Sequence, residues 1–236
     1  MIMNTISQTL GKLCTASGAE LRKMGEFHRT DEDDGAGFTM VRRGGRVLGI
    51  AHTDVSSEVE DYRVDLKESD ATFGHPWLDD RLGVHALLYM LPDLGVTFDV
   101  MLTEKEEISD STGGRPQAIA VASEYNWMFM MDRRGNDCAM YGYDMDNGDW
   151  KEVLERSGWM LSPGSSSCIK YMEEAGVKGA NFGVGYKKEH SEQCYAEKKC
   201  YIQQCTRVAE FVKEFGARRF IHKNTGAPIK ATDLQG

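Results

Sequence analysis

Five short stretches of this 236-residue chain carry side chains able to bind a cation or move a proton: His52-Thr53-Asp54, Asp79-Asp80, Glu106-Glu107, Asp132 and His190. Histidine and carboxylate donors together suit zinc, cobalt or manganese. In His52-Thr53-Asp54 the two reactive residues are two apart, so an extended chain places both on one side. Asp54 can then accept a hydrogen bond from one imidazole nitrogen and leave the other for a metal. Asp79-Asp80 stand at the start of a helix pattern, where the N-terminal dipole favours carboxylates. Glu106-Glu107 pairs a carboxylate that could bind metal with one that could take a proton from water. Each stretch alone has an ordinary explanation: a histidine beside an acid, a helix cap, a solvated acidic pair.

Their placement along the chain is less ordinary. Apolar runs at 47–51, 98–102, 127–131 and 180–184 read as buried strands, and each leads into one of these groups. Open α/β sheets gather ligands beyond the carboxyl ends of their strands. Charges buried there are costly unless paired or coordinated. Helix patterns cover 6–14, 81–91 (closed by Pro92), 117–124, 150–157, 166–175 and 196–215. Residues 38–41 and 47–51 flank Gly44-Gly45 and read as a hairpin, and a short strand is expected near 62–66. The alternation of helices and buried strands predicts an α/β fold, a three-layer α/β/α sandwich on a mostly parallel or mixed sheet. One catalytic domain is expected over 1–236, with a polar tail from about residue 221.

Composition narrows the function. The net charge of −9 argues against nucleic acid or an anionic membrane surface as partner. The six cysteines, Cys14, Cys138, Cys168, Cys194, Cys200 and Cys205, form no Cys-x-x-Cys pair. They read as free thiols in a reducing compartment, so a metal site must use histidine and carboxylate. No stretch approaches the ~18 apolar residues of a membrane span, and the N-terminus lacks a signal-peptide pattern. The expectation is a soluble, cytoplasmic protein. His75, His85 and His222 read as structural, and Met128, Met130 and Met131 as core strand.

In order and spacing, the motifs resemble the co-catalytic zinc exopeptidases: leucyl and glutamyl aminopeptidases, peptidase T and related carboxypeptidases. Gly49-Ile50-Ala51-His52-Thr53-Asp54 is similar to that superfamily's first motif, and Leu78-Asp79-Asp80-Arg81-Leu82-Gly83 to its bridging-aspartate motif. Thr103-Glu104-Lys105-Glu106-Glu107 matches its Thr-x-x-Glu-Glu segment, and the stretch from Ser165 to His190 resembles its closing part. The resemblance implies two divalent metal ions, most simply zinc. One would take His52, Asp79 and Asp132; the other Asp79, Glu107 and His190, with Asp79 bridging. It implies Glu106 as general base, Asp54 as orienter of His52, and a cis peptide bond between Asp79 and Asp80. The substrate would be a small peptide or an acyl-amino acid, and a homo-oligomer is open. An amidohydrolase that deacylates N-acyl amino acids or cyclises N-terminal glutamine is the alternative, with a non-catalytic homologue as a third.

Two departures stand out. His52 and Asp79 lie too close in sequence, as do Asp132 and His190, for the lid domain of larger members. Substrate selection then falls to the loops at 55–77, 109–116, 136–149 and 186–195. Arg133-Arg134-Gly135 follows the expected ligand Asp132 directly, and either arginine could meet a substrate carboxylate or serve as surface charge.

Overall fold

Strands covered on both faces must be apolar at nearly every position, and the apolar runs indeed form the middle of one sheet. The computed structural model describes residues 2–62, 64–140, 148–164 and 167–222. Its eight-stranded sheet has the order β1 (Glu26–Arg29), β2 (Gly37–Val41), β6 (Asp99–Thr103), β3 (Leu48–His52), β7 (Met128–Arg133), β10 (Gly179–Gly183), β8 (Cys138–Met140) and β9 (Leu161–Pro163). Strands β6, β3, β7 and β10 are parallel. Antiparallel pairs flank them on either side. The carboxyl ends of the four parallel strands therefore share one edge. A second sheet, all antiparallel, has the order β11 (Tyr186–Lys187), β12 (Tyr195–Glu197), β5 (Thr72–Gly74) and β4 (Lys67–Glu68).

The helices are α1 (Ile2–Thr15), α2 (Gly18–Arg22), α3 (Leu78–His85), α4 (Leu91–Asp93), α5 (Pro116–Ala122), α6 (Gly148–Arg156), α7 (Cys168–Tyr171) and α8 (Lys198–Phe215). Side-chain alternation along β3 sorts α3 and α7 onto opposite faces. Gly49 and Ala51 face the helix that contains Gly83 and Leu87, and a Cβ on Gly49 would lie 2.8 Å from Leu87. His52 points the other way with its register partner Thr103, whose hydroxyl lies 3.1 Å from Cys168 at the start of α7. Helices on both faces of a mixed, largely parallel sheet give the three-layer α/β architecture expected from the sequence. Met128, Met130 and Met131 are fully buried core residues.

Several local expectations are corrected. Strands β2 and β3 do not form a hairpin, because β6 lies between them; the true hairpin is β1–β2, across the acidic loop at 30–36. Among the described residues of 62–66 there is no strand; the short strands nearby are β4 and β5. The helix does not stop at Pro92. A π turn, Ala86–Met90, links α3 to α4, with the Leu91 amide donating to the Ala86 carbonyl. Pro92 has no N–H to give, and the π turn shifts the ladder by one residue, so two carbonyls lose their helical partners. Arg43 supplies replacements, donating to Leu87 at 2.9 Å and Leu88 at 3.2 Å. The tail beyond residue 222, Ser165-Ser166 and residues 141–147 of the loop at 136–149 lie outside the described residues.

Candidate metal centre

Each reactive side chain enters the shared edge from a different element. His52 ends β3, and Thr53 ties the following loop to β6 through its amide and hydroxyl, both donating to the Thr103 carbonyl. Asp54 then accepts from the Glu107 amide at 2.9 Å. That bond joins the His-x-Asp loop to the Glu-Glu loop. Asp79 and Asp80 lie in the first turn of α3. Arg81, buried beneath them, donates to the carbonyls of Leu13 and Thr53, both at 3.1 Å, and so fixes α3 against α1 and the His52 loop. Asp132 lies near the end of β7, where the pairing to β10 shifts register. Asn181 bridges that irregularity: its side chain accepts from the Asp132 amide at 2.9 Å and donates to the Asp132 carbonyl at 3.0 Å. His190 follows β11, with a left-handed φ of 53°.

These residues converge. His190 Nε2 lies 3.2 Å from Asp79 Oδ2 and 3.3 Å from Glu107 Oε2. His52 Nε2 lies 3.4 Å from Asp132 Oδ2, and its Nδ1 is 3.6 Å from Asp54 and 3.9 Å from Asp80. Donor atoms of Asp79, Glu107 and His190 fall within 4.8 Å of one another, as do those of His52, Asp80 and Glu107. The expected second ligand set is thus assembled in space. Asp80 also approaches His52, at Nδ1 rather than at the Nε2 that faces Asp132. A cleft of about 340 Å³ opens over the centre, lined among others by His52, Asp79, Glu106, Glu107, Asp132 and His190.

One expectation fails. The Asp79–Asp80 peptide bond is trans, with no cis bond among the described residues. Both residues belong to α3, whose hydrogen-bonded turn is built from trans peptides.

The electrostatics call for cations. Asp54, Asp79, Asp80, Glu106, Glu107 and Asp132 crowd one edge, and the ion pairs of Asp79, Asp80, Glu107 and Asp132 run to His52 and His190. Burial, reinforced by neighbouring carboxylates, raises Asp79 and Asp132 above the usual carboxylate range and Asp80 well above it. Glu106 is pushed up to about 7, chiefly by burial. Burial alone would lower His52, but Asp132 and Asp54 outweigh it and hold the imidazolium well above the ordinary histidine value. His190 rises to about 9 through its bond with Glu107. Among the described residues six buried side-chain atoms lack a hydrogen-bond partner, and four of them lie here: His52 Nδ1, Asp54 Oδ1 and both Asp80 oxygens. Orphaned acceptors beside a paired histidine–carboxylate set fit divalent cations.

The residues read as structural sit elsewhere. His85 bonds Tyr201 at 2.7 Å and Thr9 at 2.8 Å. His75 bonds the Val64 carbonyl, and His222 pairs with Glu173. Arg133 is engaged by Asp137 and Ser162, and Arg134 by Glu189, at the cleft wall. Asp80 and Tyr186 were given no role from sequence; the doubled aspartate was the available signal for the first, and the second stands in the closing motif at the start of the loop at 186–195.

Compared by sequence, the chain matches no family model and no curated protein. Compared by structure, it resembles the aminopeptidase PepT of Bacillus cereus, with a TM-score of 0.63 at 10% identity over 89% of this chain and 97% of that one. The fold is that of these aminopeptidases. The TET aminopeptidase of a Thaumarchaeota archaeon shares it, at a TM-score of 0.61 and 12% identity over 92% of this chain and 98% of that one. So does the Pyrococcus horikoshii TET1 peptidase, which can assemble into a tetrahedron or a large octahedral shell, at a TM-score of 0.52 and 12% identity over 86% and 99%. The shared aminopeptidase fold rests on architecture, since identity this low leaves little sequence in common.

Proposed function

We propose that this chain is a metal-dependent exopeptidase, most simply an aminopeptidase, that hydrolyses the terminal amide of a short peptide. The observation that carries this reading is the convergence of Asp79, Glu107 and His190 within 4.8 Å, beside the His52–Asp132 pair, in one cleft with Glu106. His52, Asp79 and Asp132 would hold one cation and Asp79, Glu107 and His190 the other. Bound there, two divalent ions, with zinc the natural choice, would polarise the scissile carbonyl and acidify a water.

The chain's own groups do the rest. Asp54, 3.6 Å from His52 Nδ1, orients the imidazole so that Nε2 faces Asp132. Glu106 takes the proton from the attacking water and delivers it to the leaving nitrogen. The acidic floor attracts a substrate ammonium, whereas Arg133 and Arg134 are already paired with Asp137 and Glu189. That favours an aminopeptidase over a carboxypeptidase or a deacylase of N-acyl amino acids. All six thiols are unbridged, which suits a reducing, cytoplasmic setting. Self-association belongs to the same proposal, carried over from the TET1 likeness, and sedimentation velocity reads it directly.

The test is Glu106→Gln. The variant is expected to keep both metal equivalents by elemental analysis and to lose turnover of amino-acid anilides by at least about a hundredfold. Wild-type turnover in the variant overturns the assignment of the base. Preferential hydrolysis of N-acyl amino acids by the wild type overturns the substrate class.

A further inference from the structure

Buried tyrosines in this protein spend their hydroxyls on partners. Tyr125 donates to Asp99 at 2.8 Å, and Tyr201 meets His85 at 2.7 Å. That is the general rule for a phenol removed from water. Tyr186 differs. The residue is only 7% exposed and lines the cleft with His52, Asp79, Glu106, Asp132 and His190. Its hydroxyl oxygen is not among the buried atoms left without a partner, and no hydrogen bond holds it among the described residues, so it opens onto the cleft.

The backbone puts it there deliberately. The Val184 amide donates to the Arg133 carbonyl at 2.8 Å, holding the chain against the end of β7. Gly185 then turns with φ of +85°, and a Cβ at that position would lie 2.6 Å from the sulfur of Cys200. Only glycine fits both the conformation and the space. The turn delivers Tyr186 as the first residue of β11, where register with Ala196 of β12 fixes it. The small sheet thus anchors the backbone of a phenol on the cleft wall.

The chemistry of the cleft defines what such a hydroxyl could serve. Its central groups are carboxylates, which only accept once ionised beside the proposed cations, and two imidazoles committed to those cations; Arg133 and Arg134 at the wall are engaged by Asp137 and Glu189. When an amide carbonyl is attacked, its oxygen gains negative charge among these acids. A preorganised neutral donor aimed at that oxygen stabilises the adduct more than the ground state. We infer that Tyr186 is a further catalytic residue, whose hydroxyl donates a hydrogen bond to the scissile carbonyl oxygen as it becomes tetrahedral. The phenol keeps its proton throughout, so no charge or atom is transferred to it. The inference rests on the amide-hydrolase reading above.

Tyr186→Phe keeps the ring and removes only the donor. The expected result is a fall in kcat of about a hundredfold, with KM within about twofold and metal content unchanged. A second measurement is independent of turnover. By calorimetry, a phosphonate analogue of the tetrahedral adduct should bind the variant at least about tenfold more weakly, while a product amino acid binds as before. Unchanged kcat, or equal weakening of both ligands, overturns the inference, and so does loss of metal in the variant. Should the wild type cleave no amide, the proposed function fails; the phosphonate comparison still decides the role of Tyr186.

Discussion

Glu106 and His190 hold protons in the folded, metal-free protein that the unfolded chain gives up. Burial lifts Glu106 from 4.5 to about 7, and the bond with Glu107 lifts His190 from 6.5 to about 9. Both values are raised, so both groups bind a proton more tightly when folded. Their contribution is therefore complete below the unfolded values and is lost as pH climbs through the folded ones. Glu106 acts between 4.5 and about 7, His190 between 6.5 and about 9. In chelator, the melting temperature is expected to fall steadily across this range, and Glu106→Gln should flatten the lower half. Divalent cations would take the place of those protons, so saturating zinc should flatten or reverse the slope. Thermal melts at stepped pH, with and without zinc, read both; a level profile in chelator would show that Glu106 is not buried, and His190 not bonded to Glu107, as described.

The loop between β6 and α5 turns on a residue that resists its own conformation. Lys105 has φ of 63°, which costs a side-chain-bearing residue about 1–2 kcal/mol. It is held by Asp34, by Asp31 at 3.3 Å and by Asp110 at 3.6 Å. Next to it, Glu104 is gripped by Arg22 of α2 and the Gly37 amide of β2. Together these contacts aim Glu106 and Glu107 into the cleft. If the conformation is what matters, Lys105→Gly, which adopts it without strain, keeps kcat within about threefold, while Lys105→Ala loses about tenfold. Equal effects of the two substitutions would show that the ion pairs, not the backbone, carry the effect. The clamp was invisible in the sequence, where the acidic stretch before β2 reads as a solvated loop and its partner lies far downstream. The second sheet was equally hidden, because strands of two or three residues carry too little periodicity to register. The four parallel strands were legible for the opposite reason: buried on both faces, they are largely apolar runs, and the site residues follow at their carboxyl ends. The paired aspartates show the limit of that reading. Spacing located them, but only packing shows Asp79 facing His190 and Asp80 facing His52.

At the scale of the whole molecule, charge sets the balance. The chain carries a net charge of −9, and a concentrated part of its negative charge is buried at one sheet edge. Such an edge opposes folding unless cations neutralise it. A ligand that binds only the folded state at a hundredfold excess over its Kd stabilises by about 2.7 kcal/mol. For a chain of this size each kcal/mol moves Tm by about 2–4 °C, so the expected rise is about 5–11 °C. Zinc added to chelator-stripped protein should give that shift and saturate near two equivalents. Glu106→Gln should preserve it, since the base is not a ligand. Asp79→Asn should abolish most of it, since one carboxylate serves both cations. Saturation at one equivalent would remove the bridging role of Asp79, and the absence of any shift would remove the metal centre itself. The two variants separate a centre that binds cations from one that also uses them, because only the ligand substitution removes the stabilisation by zinc while both alter turnover.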